Sequence, residues 1–255
     1  MLEKIDEEIL PGGYVIEWAY DPDVESPRES CDNLGHMYAW GRGFCSPDFN
    51  PYSDETDFVR DMLQEHFTHD ELLDVVRQGY FESLRLVKGN DGEERLQAFY
   101  KSYLTGREDW DDVEDYNEWH DTEELASAIC GCAEAPKLLG TKGVILTVYR
   151  FEHSDVSYST SPYNDPWDSG AVGFIWASDD DITREYGDAS EASRDKARHV
   201  LEAEVREYSA WANGDCYAVM LSKDDVMLDC IGGYIGDDGL DIGIEEMRRE
   251  VPAIA

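Results

Sequence analysis

A chain of 255 residues with 58 acidic and 21 basic side chains carries a formal charge of −37, yet 42% of its residues are apolar and 12% are aromatic. That apolar and aromatic content excludes an acidic disordered chain, and the length suffices for one domain of two lobes, 1–140 and 141–255, with a real core. The sequence offers no basic stripe to neutralise phosphates, which argues against direct nucleic-acid binding, and no apolar run approaches the ~20 residues of a membrane span.

Residues 1–10 read as a short acidic lead-in, closed by Pro11, Gly12 and Gly13. Gly13–Tyr20 predicts a first strand, followed by a polar loop over Asp21–Ser30. Cys31–Trp40 is a polar turn, with Asp32 and Asn33 at its head, that feeds a short apolar and aromatic run. Ser53 is the expected N-cap of a helix carrying Phe58, Met62, Leu63 and Phe67. A second helix starts at Thr68 or His69 and carries Leu72, Leu73, Val75 and Val76 towards Gly79. Tyr80–Lys88 alternates like a strand, Asn90-Asp91-Gly92 is a turn signal, and Glu93–Leu104 favours helix.

Glu108–Glu124 holds ten acids in seventeen residues, with no Lys or Arg, and Trp110, Val113, Tyr116 and Trp119 recur in it every third position. One reading is an acidic helix or loop whose aromatics pack on the body of the protein. The other is a partner-binding or phosphate-mimicking element, with Trp110 and Trp119 inserted and Asp111, Asp112, Glu114 and Asp115 around them.

Thr122–Cys132 continues as helix, ended by Pro136 and Gly140. Val144–Phe151 and Ala171–Ala177 are apolar strands separated by a polar loop. Ser178 caps a short helix that stops at Gly187, and Ser190–Ala212 predicts the longest helix, with Ala197, Val200, Leu201, Val205, Tyr208 and Trp211 as its buried stripe. Cys216–Leu221 and Met227–Ile235 predict a hairpin, and Ile244–Val251 a closing helix. Scattered strands joined by short turns point to an α+β fold: a mixed, mainly antiparallel sheet with flanking helices.

The bases are 14 Arg and 7 Lys and the acids 31 Asp and 27 Glu. This balance resembles that of proteins from salt-loving archaea and their viruses. Molar salt shortens the Debye length to ~3 Å and screens the self-repulsion of such a chain. Phosphate mimicry is the rival account, but a mimic concentrates its acids on one face, and here they run from Glu3 to Glu250. The six cysteines follow no signal-peptide pattern, so reduced thiols and a cytoplasmic location are expected, in the host cytoplasm if the chain is viral. His66 and His69 lack HExxH spacing, and Cys130 and Cys132 lack a second pair, so neither metal nor cofactor is expected.

The most distinctive local patterns are His153-Ser154, Ser159-Thr160-Ser161-Pro162 and Trp167-Asp168-Ser169-Gly170-Ala171-Val172-Gly173, together with Asp32-Asn33-Leu34-Gly35. In that order they resemble a family of uncharacterised proteins of tailed phages and mobile elements, over roughly half of the chain. Asp155 departs from the family's Gly. The resemblance implies a virus- or element-encoded accessory protein and no known activity. Read by itself, Asp168-Ser169-Gly170 is a turn whose carboxylate accepts backbone amides, with Gly170 free for positive φ and Trp167 packed beneath. Two functions follow. The first is binding of a host protein, with interference in a nucleic-acid-handling or defence complex. The second is a small hydrolase or nuclease that uses His153, Asp168 and Ser169, joined by Asp32 and Asn33.

Overall fold

The structure, a computed structural model, describes residues 3–89, 92, 94–101, 108–113 and 122–252. The lead-in is in fact a strand: β1 (Lys4–Leu10) turns through Gly12 and Gly13, both at positive φ, onto β2 (Tyr14–Tyr20). The polar loop holds a short helix, α1 (Pro27–Ser30), and β3 (His36–Ala39) follows. α2 (Glu55–His66) is capped by Asp54 rather than Ser53, because the Asp54 carboxylate accepts the amides of Thr56 and Asp57. α3 (His69–Arg77) opens on a capping box of Thr68 and Glu71.

β4 (Leu84–Lys88), β5 (Glu94–Lys101) and β6 (Glu108–Asp112) make a three-stranded antiparallel sheet. Two expectations fail here. Good helix formers in Glu93–Leu104 favoured helix, but pairing on both sides and burial of Leu96 hold the segment as a strand. The acidic run begins as an edge strand, on which Glu108, Asp111 and Asp112 are exposed. Glu114, Asp115 and Trp119 lie outside the described residues.

α4 (Thr122–Ile129) is followed by a separate α5 (Ala135–Leu139), so Pro136 opens a helix where it was expected to end one. The central stretch gives β7 (Gly143–Glu152), a further strand β8 (Val156–Ser159) and β9 (Ser169–Ser178). α6 (Asp179–Tyr186) ends on left-handed Gly187, and α7 (Glu191–Asn213) is the longest helix. β10 (Cys216–Lys223) and β11 (Val226–Ile235) form the expected hairpin. α8 (Gly236–Glu250) starts well before Ile244, with Asp237 and Asp238 at the positive end of its dipole.

With helices and three mostly antiparallel sheets, the chain is α+β. It divides into two compact units: Met1–Phe49, Leu146–Trp176 and Asp195–Ala255 in one, Asn50–Ile145 and Ala177–Arg194 in the other. In the first, the sheet β1-β2-β10-β11 buries Tyr14, Ile16, Val219 and Leu221 under Ile244 and Met247 of α8. A second sheet, ordered β3-β9-β7-β8, sets β3 tightly beside β9, where a Cβ on Gly173 would lie 1.9 Å from the Tyr38 carbonyl oxygen. In the other unit, α2 packs on α4 and α5, and α3 on α4 and β4. Lys142 Nζ lies 2.7 Å from Glu71 Oε1. Among the described residues no helix is long and apolar enough to cross a membrane.

Two outcomes follow from this packing. Gly173→Ala will destabilise the fold by about 3 kcal/mol, because the clash is with backbone, whereas Gly170→Ala, with open space around it, will be near neutral. Denaturant midpoints of the two variants check this. The Lys142 ammonium and the Thr68 groups hold the Glu71 carboxyl at about 2, below its ordinary 4.5. A depressed folded pKa contributes stability above the unfolded value and loses it as pH falls from about 4.5 towards 2. Glu71→Gln will flatten the stability profile in that window, as read by denaturation at each pH.

Candidate functional site

The central loop is built by its own hydrogen bonds. The Asp165 carboxylate, and not that of Asp168, accepts the turn amides, those of Trp167 at 2.9 Å and Asp168 at 3.2 Å. The Ser169 hydroxyl donates to the Asp165 carbonyl oxygen. Trp167, expected beneath this turn, is 93% exposed, and Gly170 does not take positive φ. Across the strands, the Glu152 amide donates to the Asp168 carbonyl oxygen at 2.9 Å, which brings His153 beside the Asp168 backbone. His153 itself is exposed at the β7–β8 turn, where its amide donates to Asp155; that turn forms without a glycine. No hydrogen bond among the described residues joins the His153, Asp168 and Ser169 side chains, so the nucleophile-to-base contact of covalent catalysis is not made here.

Asp32 and Asn33 part company. Asp32 is exposed, while Asn33 belongs to a charge cluster around Arg28, whose side chain is only 2% exposed. Asp48 takes Arg28 Nε at 2.8 Å and Nη2 at 2.7 Å in a bidentate pair. Nη1 reaches Asn33 Oδ1 at 3.0 Å and Glu204 Oε2 at 2.8 Å, and Nη2 also donates to the Gly35 carbonyl. The five donors of the guanidinium thus meet five acceptors. Burial by itself lowers the Arg28 pKa, but Asp48 and Glu204 outweigh it and the net shift is upward. The carboxylates are satisfied in turn, since Glu204 accepts the Leu34 amide at 2.7 Å and Asp48 the Met37 amide at 2.6 Å. A Cβ on Gly35 would lie 2.3 Å from Leu201 Cδ2, so any larger residue in the turn before β3 would have to push the Leu201 and Ile175 side chains aside.

Sequence reasoning missed this cluster, although one signal was present. Glu204 stands between Leu201 and Val205 on the apolar stripe of α7, and a carboxylate at a buried position requires a cation.

The acidic run contributes differently. On the three-stranded sheet, Leu84 and Leu96 face inward and are buried, so the alternate residues share the outer face. There Trp110 stands opposite Phe99, edge to face with centroids 5.4 Å apart, and Arg85 lies 3.9 Å above the Trp110 ring. Gln97 accepts both Arg85 Nε and Nη2, at 3.1 and 2.8 Å, and donates to Asp112 at 2.8 Å. A ladder of Asp112, Gln97, Arg85, Trp110 and Phe99 therefore crosses all three strands. Trp110 and Asp112 belong to it, and Asp111, paired with Ala98, faces the other way. Phe99 and Arg85, which the sequence did not single out, complete it.

What this face offers is aromatic area with a guanidinium stacked on it, held in register by cross-strand pairs. Among the described residues no group of three or more His, Cys, Asp or Glu side chains is arranged to hold a metal ion. Comparison with protein-family models, with curated proteins and with solved structures gave no match.

Removing Arg28 leaves two buried carboxylates without their cation, whereas removing the Asp48 charge leaves Arg28 paired with Glu204 and costs mainly hydrogen bonds. Arg28→Met will destabilise by about 3–5 kcal/mol and Asp48→Asn by about 1–3 kcal/mol, whereas Asp32→Ala, at an exposed position, will stay within about 0.5 kcal/mol of the parent. Denaturant titration at fixed molar KCl measures all three.

Proposed function

We propose that this chain is an acidic accessory protein of a virus or mobile element in a salt-loving host, and that it acts by binding a host protein rather than by turnover. The observation that carries this reading is the ladder around Trp110. Trp and Arg dominate binding hot spots, because each brings a large contact area that loses its water on association. Here both stand on one face, with Arg85 stacked on Trp110 and Phe99 exposed beside it. Molar salt screens the −37 charge, so an aromatic face can approach another protein without long-range repulsion. The partner class we assign is a host protein of a nucleic-acid-handling or defence complex, recognised by short-range aromatic and guanidinium contacts rather than by long-range charge.

Affinity capture from a halophilic host lysate at molar KCl, with mass spectrometry as the readout, tests this. The parent chain will retain one stoichiometric host protein. Trp110→Ala will weaken the purified complex by about thirty-fold or more, the ordinary worth of a hot-spot residue, while circular dichroism shows the fold retained. Asp168→Ala will bind as the parent does. Full retention with Trp110→Ala overturns the proposal. Loss with Asp168→Ala in a folded chain moves the function to the His153, Asp168 and Ser169 loop and to the hydrolase or nuclease reading.

A further inference from the structure

Beside the Arg28 cluster lies an open cavity of about 460 Å³, lined among others by Glu29, Cys31, His36, Tyr38, Asp48 and Phe49. An arginine at the wall of a cavity ordinarily suggests an anion site, but here it does not. All five Arg28 donors are spent on protein acceptors and the side chain is 2% exposed, so no N–H remains for a phosphate or carboxylate ligand. The cluster also holds two carboxylates to one guanidinium. Backbone amides absorb its excess negative charge, and the charge left to the cavity is that of Glu29, exposed on the same wall and, among the described residues, with neither side-chain hydrogen bond nor ion pair.

Three aromatic rings also line the cavity, those of His36, Tyr38 and Phe49. The His36 and Tyr38 rings are stacked, centroids 6.3 Å apart and 8° from parallel, and Phe49 is 90% exposed. An aromatic ring left in water on the wall of a cavity that a free carboxylate also lines is the chemistry that recognises an organic cation, with the ring face supplying cation–π attraction and the carboxylate a charged hydrogen bond. The volume far exceeds that of a bare metal ion, and the Phe49 and Tyr38 rings have no use for one. A guanidinium is planar, weakly hydrated and able to stack while it donates to a carboxylate, which an ammonium does less well.

We infer that this cavity is a binding site for the guanidinium of an arginine side chain presented by a peptide or protein, held between the Glu29 carboxylate and the Phe49 ring. A peptide source fits an open cavity whose acidic rim would repel the carboxylate of free arginine. The site lies apart in sequence from the Trp110 ladder and stands whether or not that face binds a host protein.

Titration calorimetry on the full chain in molar KCl tests it, with N-acetyl-arginine N-methylamide as the probe. Saturable binding at about millimolar concentration is expected, as for a single side chain without neighbouring contacts. Phe49→Ala and Glu29→Gln will each weaken it about three-fold, the worth of one exposed cation–π contact or one exposed charged hydrogen bond in molar salt. Both positions are exposed, so the variants keep the fold, which circular dichroism verifies. The citrulline counterpart, equal in shape and uncharged, will not bind. Absence of saturable binding, equal binding of the citrulline probe, competition by inorganic phosphate, or parent-like affinity in either variant overturns the inference. Free arginine binding as tightly as the capped probe overturns the peptide source and assigns the site to the amino acid.

Discussion

One buried cation fixes much of the first unit. Arg28 is drawn out of water between Asp48 and Glu204, and taking each ion out of water costs several kcal/mol. The cost is offset because no donor is wasted and because backbone amides of Leu34, Gly35 and Met37 converge on the two carboxylates, absorbing the excess negative charge. The same bonds define geometry. They tie α1, the turn at Asn33 and the start of β3 to a fixed point on α7, and Gly35 lets the turn approach Leu201 and Ile175. β3 is then held at the distance from β9 that only Gly173 permits. A charge cluster and two glycines thus act as one device.

Apart from Glu71 with Lys142, the other charge pairs do little for stability. Arg60 with Asp57, Arg77 with Asp74, Arg184 with Asp181 and Arg248 with Glu245 are pairs three residues apart on helix surfaces. Such pairs contribute about 0–1 kcal/mol in dilute buffer and less in molar salt. The acids have a second use in keeping sheet edges from pairing with other chains. β1 and β6 are acidic edge strands. β11, an edge with several exposed apolar side chains, places the Asp229 carboxylate on the Cys230 amide at 2.8 Å, occupying a donor that an incoming strand would need.

What the sequence made legible follows from periodicity. The 3.6-residue stripe of α7, the hairpin of β10 and β11 and the start of α3 at Thr68 or His69 depend on neighbours in the chain and were read correctly. β5 was misread because its residue types favour helix and only its partners make it a strand. β6 was misread because ten acids in seventeen residues hide an alternation in which Glu108, Trp110 and Asp112 share a face. Of the residues proposed for binding, Trp110 and Asp112 meet on one surface and Asn33 serves the Arg28 cluster, and no local pattern announces either outcome. Arg28 and Glu204 are 176 positions apart, and only a carboxylate on an apolar stripe betrayed that one of them needed the other.

The polar patterns singled out in the sequence have structural duties. Asn33 and Gly35 close the turn before β3, Ser161 leans on Ser159, Ser169 bonds within its loop and Gly173 admits β3. These residues describe how strands are brought together, and the side chains of Asn33, Ser159 and Ser169 are spent in doing so. Binding chemistry belongs to side chains that the fold leaves with unspent capacity. Phe49 and Glu29 at the cavity, and Phe99 with the Arg85-capped Trp110 on the outer sheet, are of that kind: removing them leaves the core intact, and each presents to water a surface that the fold itself does not require.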